Sequence, residues 1–478
     1  MPTAAKSPIR IGNGAGFWGD SPDAPLAIAR DGRLDVLTLE YLAELTMAIL
    51  GHQRDRDPAT GFVHDFPATL RTLAPMLLAQ AGLKIVTNAG GLNPRACAVG
   101  CGKVLEEAGL GDLELAILRG DDVLLDLPRW RKRGVPLDHL ETGEPFSVAA
   151  DRLLSANVYL GARSIADALL ADARIVLTGR VADASLTVGP AAAHFGWAWD
   201  DWERLAGASV AGHLIECGAQ ATGGLWHEWE RLPDPAGIGY PIAEIAADGS
   251  CAITKPEGSG GLVSVGTVTE QLLYEIGDPS GYRTPDVDVD FTEVSLEQEG
   301  PDRVVVRGAR GGPPSDHVKL VVVYSDGWTA GGLLGVVGQD AAAKARAAGE
   351  VLIERVRRAG FTLDDSRIEC LGAGDVVPGV WRPERPPWEV VLRVSVRSRD
   401  RAAVERFCRE LAPLITSGPP GLAGYAAGRP SPRPAFGYWP TLVPRSLVGS
   451  AVEISPARKW AAMPPVPRTD TSCPLSAS

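Results

Sequence analysis

The sequence predicts an α/β protein with a mostly parallel, Rossmann-like sheet in its N-terminal part, followed by a mixed and antiparallel α+β region. Three observations carry this. Near-continuous apolar runs alternate with helical patterns through the N-terminal third, as parallel strands covered on both faces require. Most of those runs stop at a glycine followed by a polar residue. Past residue 240 the pattern becomes short alternating strands with turn signals such as Asp248-Gly249.

Taken in order, Ile9–Gly12 is a short strand that leads into GNGAGFWGD and Asp20. The run from Leu34 reads as a strand ending near Thr38, then an amphipathic helix carrying Glu40 and Glu44. LKIVTNAGGLNP, from Leu83, is a buried strand running into Asn88, Gly90 and Gly91. LELAILRGDD, from Leu113, ends at Asp121, and ARIVLTGRVADAS, from Ala173, ends at Thr178, Arg180 and Asp183. Open parallel sheets bind ligands beyond the carboxyl ends of their strands. Asp20, Glu40, Asn88, Asp121, Arg180 and Asp183 are therefore expected on one rim, although Gly, Asn and Asp also occur at turns for conformational reasons alone.

The stretch AGHLIECGAQATGG, Ala211–Gly224, concentrates candidate chemistry in His213, Glu216, Cys217 and Gln220. His213 and Glu216 share a face if the segment is helical, but its glycines argue for a loop over a long regular helix. Glu216 lies between Leu-Ile and Cys-Gly, where desolvation would raise its carboxyl toward neutrality and suit it to acid–base work. His213, Cys217 and Asp183 are the accompanying catalytic candidates. Further on, Ile242–Ile245 and Cys251–Thr254 form a hairpin, and Lys255 with the glycines to Gly261, Gly260 among them, is expected to hold an anion at the start of a helix containing Glu270. Val287–Val306 and Val318–Tyr324 read as antiparallel strands, Gln339–Arg358 as a solvated helix, Val390–Val396 as a strand and Arg401–Leu411 as a helix. The proline- and arginine-rich run to Pro444 is expected to wrap the protein without building core. The resulting division is a parallel α/β domain over 1–205, a mixed α+β domain over 206–338, a small α+β unit over 339–456 and a flexible tail over 457–478.

Composition excludes several classes. A net charge of −12 gives no basic face for nucleic acid. No apolar window is long enough for a membrane span, and the N-terminus lacks the apolar core of a secretory signal. Seven cysteines in 478 residues make no disulfide framework, and Cys97 with Cys101 has no second pair at zinc spacing, so no metal is expected. We expect a reduced, cytoplasmic protein. Gly14-Ala15-Gly16-Phe17-Trp18-Gly19 matches the spacing of a dinucleotide loop, but Phe17-Trp18 and Pro22 stand where the phosphate-binding helix would open. No tightly bound nicotinamide or flavin is expected.

The ordered motifs TNAGGLNP, RGDD, IVLTGRVADA, GHLIECGAQATGG, GYPIAEIAADG, TKPEGSGG, TEQLLYEIGDP, YRTPDV, GPPG and YWPTLVPRSLV add up to a resemblance. Over roughly residues 9–450 the chain resembles the acyclic terpene utilisation protein A (AtuA) family, long a domain of unknown function. Longer members carry a further C-terminal domain, which this sequence is read as lacking. The resemblance implies a place beside enzymes that degrade citronellol and geraniol through branched acyl-CoA thioesters. It points to hydratase, lyase or acyl-group chemistry on a small carboxylate or acyl-CoA, with CoA as part of the substrate, in a homo-oligomer. Glycine-rich N–H groups would serve the thioester oxygen. The alternative is a non-catalytic binding or scaffold subunit of a terpenoid-degrading complex.

Overall fold

In the computed structural model, which describes residues 6–464, the core of the fold is a block of parallel strands. These are β1 (Ile9–Asn13), β2 (Val36–Leu39), β3 (Lys84–Thr87), β4 (Glu114–Arg119) and, after β5 (Leu153–Val158), β6 (Ile175–Leu177). They pair in the order β1-β2-β3-β6-β4. Ile11, Leu37, Ile85, Ile117 and Ile175 are fully buried, as apolar runs covered on both faces should be. Helices α1 (Ala24–Asp31), α3 (Phe66–Ala79) and α4 (Pro94–Glu107) share one core with these strands, while α2 (Glu44–Arg56) packs on β5. After α5 (Leu127–Lys132), the helices α6 (Arg163–Leu170), α7 (Ser185–Phe195) and α8 (Trp202–Glu216) pack successively on one another and on the same sheet.

The sheet runs on antiparallel past β1 through β7 (Ile242–Ile245) and β8 (Cys251–Thr254). Beyond the short β9 (Tyr282–Arg283) and β10 (Asp288–Asp290), it takes in β11 (Ser295–Gly300) and β12 (Arg303–Arg307), and β13 (Arg310–Gly312) joins β10. The result is a mixed α/β sheet of ten strands, and its order is not the Rossmann order expected from the sequence. Its first strand meets antiparallel β7, whereas in a doubly wound fold the first strand opens the second half. What survives is the switch point. The chain passes from β3 to β4 over the place β6 fills, then returns from β4 to β6. β3 and β6 are thus neighbours whose following connections leave in opposite directions, the geometry that opens a ligand crevice.

A second compact unit spans Tyr324–Gly437; the first runs to Val323 and resumes at Tyr438. The expected boundary at 206 instead falls inside α8, which packs on β1, β7 and β8. Helix α9 (Val265–Leu273) lies in the first unit; the long β14 (His317–Val337) leads into the second, whose first helix is α10 (Ala341–Arg358). There β15 (Asp365–Leu371), β16 (Glu389–Ser398) and β17 (Leu422–Tyr425) form a sheet with β14, and α10 and α11 (Arg401–Glu410) cover it, with α12 (Leu414–Ser417) beyond.

Four expectations are corrected by the structure. The glycine-bearing stretch is helical to Glu216, because Gly212 lets α8 close on α7: a Cβ there would lie 2.8 Å from the Ala184 Cα. Glu40 precedes α2 instead of lying within a helix. The proline- and arginine-rich run builds β17 and β18 (Arg433–Pro444), with Trp439 buried and donating to the Leu137 carbonyl at 2.7 Å. Past it, β19 (Ala451–Pro456) adds to β4, and α13 (Ala457–Ala461) stands where a flexible tail was expected. Trp460 of α13 is fully buried against α4 and donates to the Leu115 carbonyl at 2.9 Å. The rest of the expected tail, including Cys473, lies outside the described residues. Among the described residues, no helix is long and apolar enough to cross a membrane.

Candidate active site

The C-terminal turn of α8 presents His213 and Glu216 on one face, three residues apart, with Nδ1 and Oε1 at 3.3 Å. A helix end leaves carbonyls without intrahelical partners, and here the neighbours supply donors. Asn13, the last residue of β1, donates to the Ile215 and Glu216 carbonyls at 2.7 and 2.9 Å, and Gln271 of α9 donates to the His213 carbonyl at 3.0 Å. The chain then turns through Cys217 and Gly218, whose φ of 60° favours glycine. Asp20 braces this turn. It accepts from the Gly16 amide at 2.8 Å, the Ser21 amide at 2.7 Å and the Tyr240 hydroxyl at 2.5 Å. That role makes Asp20 a support of the site, in place of the ligand contact expected of it.

The strand ends supply the second group of side chains. Asn88, after β3, donates to Glu40 and accepts from the Tyr41 amide at 2.8 Å. Asp121, after β4, accepts from the Arg180 amide and from the Asn157 side chain, both at 2.8 Å. Arg180, after β6, donates to Asp183 at 2.6 Å and to the Leu42 carbonyl at 2.9 Å, with Glu40 4.0 Å away. Its guanidinium lies over the Tyr159 ring, 4.1 Å from the centroid, and the Tyr159 hydroxyl donates to Glu44 at 2.7 Å. Asn88, Asp121, Arg180 and Asp183 therefore stand on the same carboxyl edge, at the β3/β6 switch. Thr178 is fully buried and bonds the Gly179 carbonyl at 2.8 Å. Gly90 and Gly91 let the β3 loop close on its neighbours; a Cβ on Gly90 would lie 2.5 Å from the Thr178 carbonyl.

Electrostatics join the two groups. Burial pushes the Glu216 carboxyl up to about 7 against the pull of His213, and the charges of Asp183 and Glu275 push the same way. Burial works against protonation of His213, but the hydrogen bond and charge of Glu216, with the backbone at Leu272 and Gln271, outweigh it and raise the imidazole. Joined by one hydrogen bond, the two groups titrate as a unit. Burial and the Asp183 charge hold Glu40 well above the carboxylate range despite Arg180 and Asn88, and burial lifts Asp121 to about 6. Glu44 shows the opposite: its hydrogen bond from Tyr159 and the charges of Lys319 and Arg180 overcome burial and hold it at about 2. Burial and then Glu216 drive the Cys217 thiol up to about 12, which removes it as a nucleophile at neutral pH. Buried polar atoms without a partner gather here too: Glu40 Oε2, Ser155 Oγ, Asn157 Oδ1, His213 Nε2, Glu216 Oε2 and Gln271 Oε1. Among native proteins such atoms are few, and they mark where a ligand or water belongs.

Other expected residues fall elsewhere. Lys255 is buried, donates to the Ser259 carbonyl at 2.7 Å and pairs with Asp302 at 3.1 Å. The start of α9 is closed by its own chain, with Ser264 capping Thr267 and Gln298 accepting from the Val265 amide at 3.1 Å. Gly260 is packed against the Asp234 carbonyl. The anion site expected there is thus a structural β-to-α connection. Lys255→Ala should leave KM unchanged and lower stability by about 1.5–3 kcal/mol, the worth of charged hydrogen bonds, in a denaturant titration. Glu270 is taken by His227 at the surface, and Gln220 pairs with Tyr274. Sequence reading missed Tyr159, Asn157, Tyr282 and Glu275. The first two belong to β5 and its end, so reading that strand would have placed them. Among the described residues, no three His, Cys, Asp or Glu side chains are placed to hold a metal ion. A cleft lined by Glu203, Val210, Asp248 and Arg307 shares no residue with the site.

The family model described as acyclic terpene utilisation family protein AtuA matches residues 9–454. No curated protein and no solved structure is significantly similar to the chain. The match spans the ten-stranded sheet through β19's first residues, the second unit and every residue of the site, and on that extent this chain belongs to the acyclic terpene utilisation (AtuA) family.

Proposed function

We propose that this protein is an enzyme of acyclic-terpenoid and branched acyl-CoA breakdown that moves a proton to or from a small acyl substrate, in hydratase- or lyase-like chemistry. One observation carries the reading. Glu216 is a buried carboxyl held near neutrality, with one oxygen on His213 and the other without a partner. Proton transfer is most effective when the group titrates near the working pH. In this reading Glu216 takes or gives the proton, and His213 fixes its orientation and shares its charge. Asp183, half-buried at the edge of the group, stands on the solvent side. The Glu40–Arg180–Asp183 cluster holds the strand ends in place. The chemistry calls for no nicotinamide or flavin, and we place the protein in the cytoplasm as a homo-oligomer.

The test is hydrogen exchange. Purified protein incubated in deuterium oxide with a branched acyl-CoA thioester should wash deuterium into the position beside the carbonyl. Abstraction needs ionised Glu216, so kcat/KM should rise as pH passes about 7. Saturable binding with no exchange and no product at any pH would instead identify a binding or scaffold subunit.

A further inference from the structure

We infer that the site takes a neutral acyl carbonyl, a thioester in preference to a free carboxylate, and that the Tyr282 hydroxyl is the donor to its oxygen. This deepens the proposed function and rests on it.

The first ground is charge. The charges of Asp183 and Glu275 both act on Glu216, and that of Asp183 also acts on Glu40. The cations beside them are already engaged. Arg180 is bound to Asp183 and the Leu42 carbonyl and stacked on Tyr159, and Lys319 is bound to Glu44 at 3.2 Å. A substrate carboxylate placed here would meet the Glu216 carboxylate, which is ionised in the state that abstracts, with neither Arg180 nor Lys319 free to offset it, whereas a thioester carbonyl carries no such charge.

The second ground is geometry. Tyr282 of β9 lies beside His213, ring centroids 6.0 Å apart, and Phe291 completes an aromatic group at 5.4 Å from Tyr282 and 5.8 Å from His213. The ring contact with His213 sets Tyr282 beside the acid pair, and the charges of Glu216, Asp183 and Glu275 act on its phenol. Burial and those carboxylates keep the phenol protonated, hence a donor. Tyr282 is half-buried and its hydroxyl makes no hydrogen bond among the described residues, which leaves its proton for a ligand oxygen. In the reaction the C–H bond beside the carbonyl breaks, its proton goes to the Glu216 carboxylate, and the electron pair moves into the carbonyl. The resulting enolate oxygen accepts the Tyr282 O–H, and return of the proton completes the exchange without any oxidant or reductant.

Two measurements on the full-length protein test this. Calorimetry at about pH 8 compares the N-acetylcysteamine thioester of 3-methylbutanoic acid with the free acid. The thioester should bind about tenfold tighter or more, a difference of roughly 1.4 kcal/mol. Deuterium exchange into that thioester should fall about 10²-fold in Tyr282→Phe, the usual loss for one oxyanion donor, with KM nearly unchanged and the thermal midpoint preserved. Equal or tighter binding of the free acid, or full exchange in Tyr282→Phe, overturns the inference. Glu216→Gln separates the two levels. If that variant still exchanges, the acid–base assignment is lost; if it is inert while Tyr282→Phe is not impaired, only the role of Tyr282 is lost.

Discussion

Glu216→Gln should lower kcat by about 10²–10⁴-fold, the usual contribution of a positioned acid or base, while the fold persists. Glutamine keeps the shape and can still bond His213, so the loss isolates the titrating proton. Stability should move the other way. The Glu216 carboxyl is raised from 4.5 to about 7 in the folded protein, so its contribution is fully present below pH 4.5 and is lost as pH rises through about 7. That difference corresponds to at most about 3–4 kcal/mol. Above neutrality the variant should therefore unfold at the same or higher denaturant concentration than the parent, and below about pH 5 the advantage should vanish. A fall in kcat of less than about tenfold, under roughly 1.4 kcal/mol, would make Glu216 a structural residue.

The largest stability effect is expected at Arg180. Arg180→Met fills similar volume but removes the guanidinium that binds Asp183, lies 4.0 Å from Glu40, bonds the Leu42 carbonyl and covers Tyr159. Removing one partner of a buried ion pair costs about 3–5 kcal/mol, because the charge left behind is uncompensated. Urea unfolding near neutral pH should show that loss. Part of it should return in the double variant with Asp183→Asn, which removes the carboxylate left without its partner. A loss below about 1 kcal/mol would mean that Tyr159 and Asn88 hold the strand ends without the cation.

The strand-end residues were legible in the sequence because their signal is local. An apolar run that stops at Gly plus a polar residue says where a parallel strand ends, and β2, β3, β4 and β6 end within two residues of their expected places. The His213/Glu216 spacing was legible for the same reason. What stayed hidden depends on partners far along the chain. Glycine weakens a helix in isolation, yet Gly207 and Gly212 sit in α8 because the Gly249 carbonyl and Ala184 press against it. Lys255 looked like an anion hook because nothing local announces Asp302 as its partner. The antiparallel additions β11, β12 and β19 join the sheet by long-range pairing, which strand-by-strand patterning does not record.

The pin that Asn13 makes on the end of α8 ties the backbone of Ile215 and Glu216 to the first strand of the chain, while Gln271 ties the His213 carbonyl to a helix far downstream. Nascent chain therefore cannot assemble the site progressively: it closes only after segments far apart in the chain have been made and docked. Closing such distant segments carries an entropic cost that local helix formation does not meet. Half-made protein accordingly carries no misplaced buried acid, and the carboxyl is desolvated only in a molecule that has finished folding.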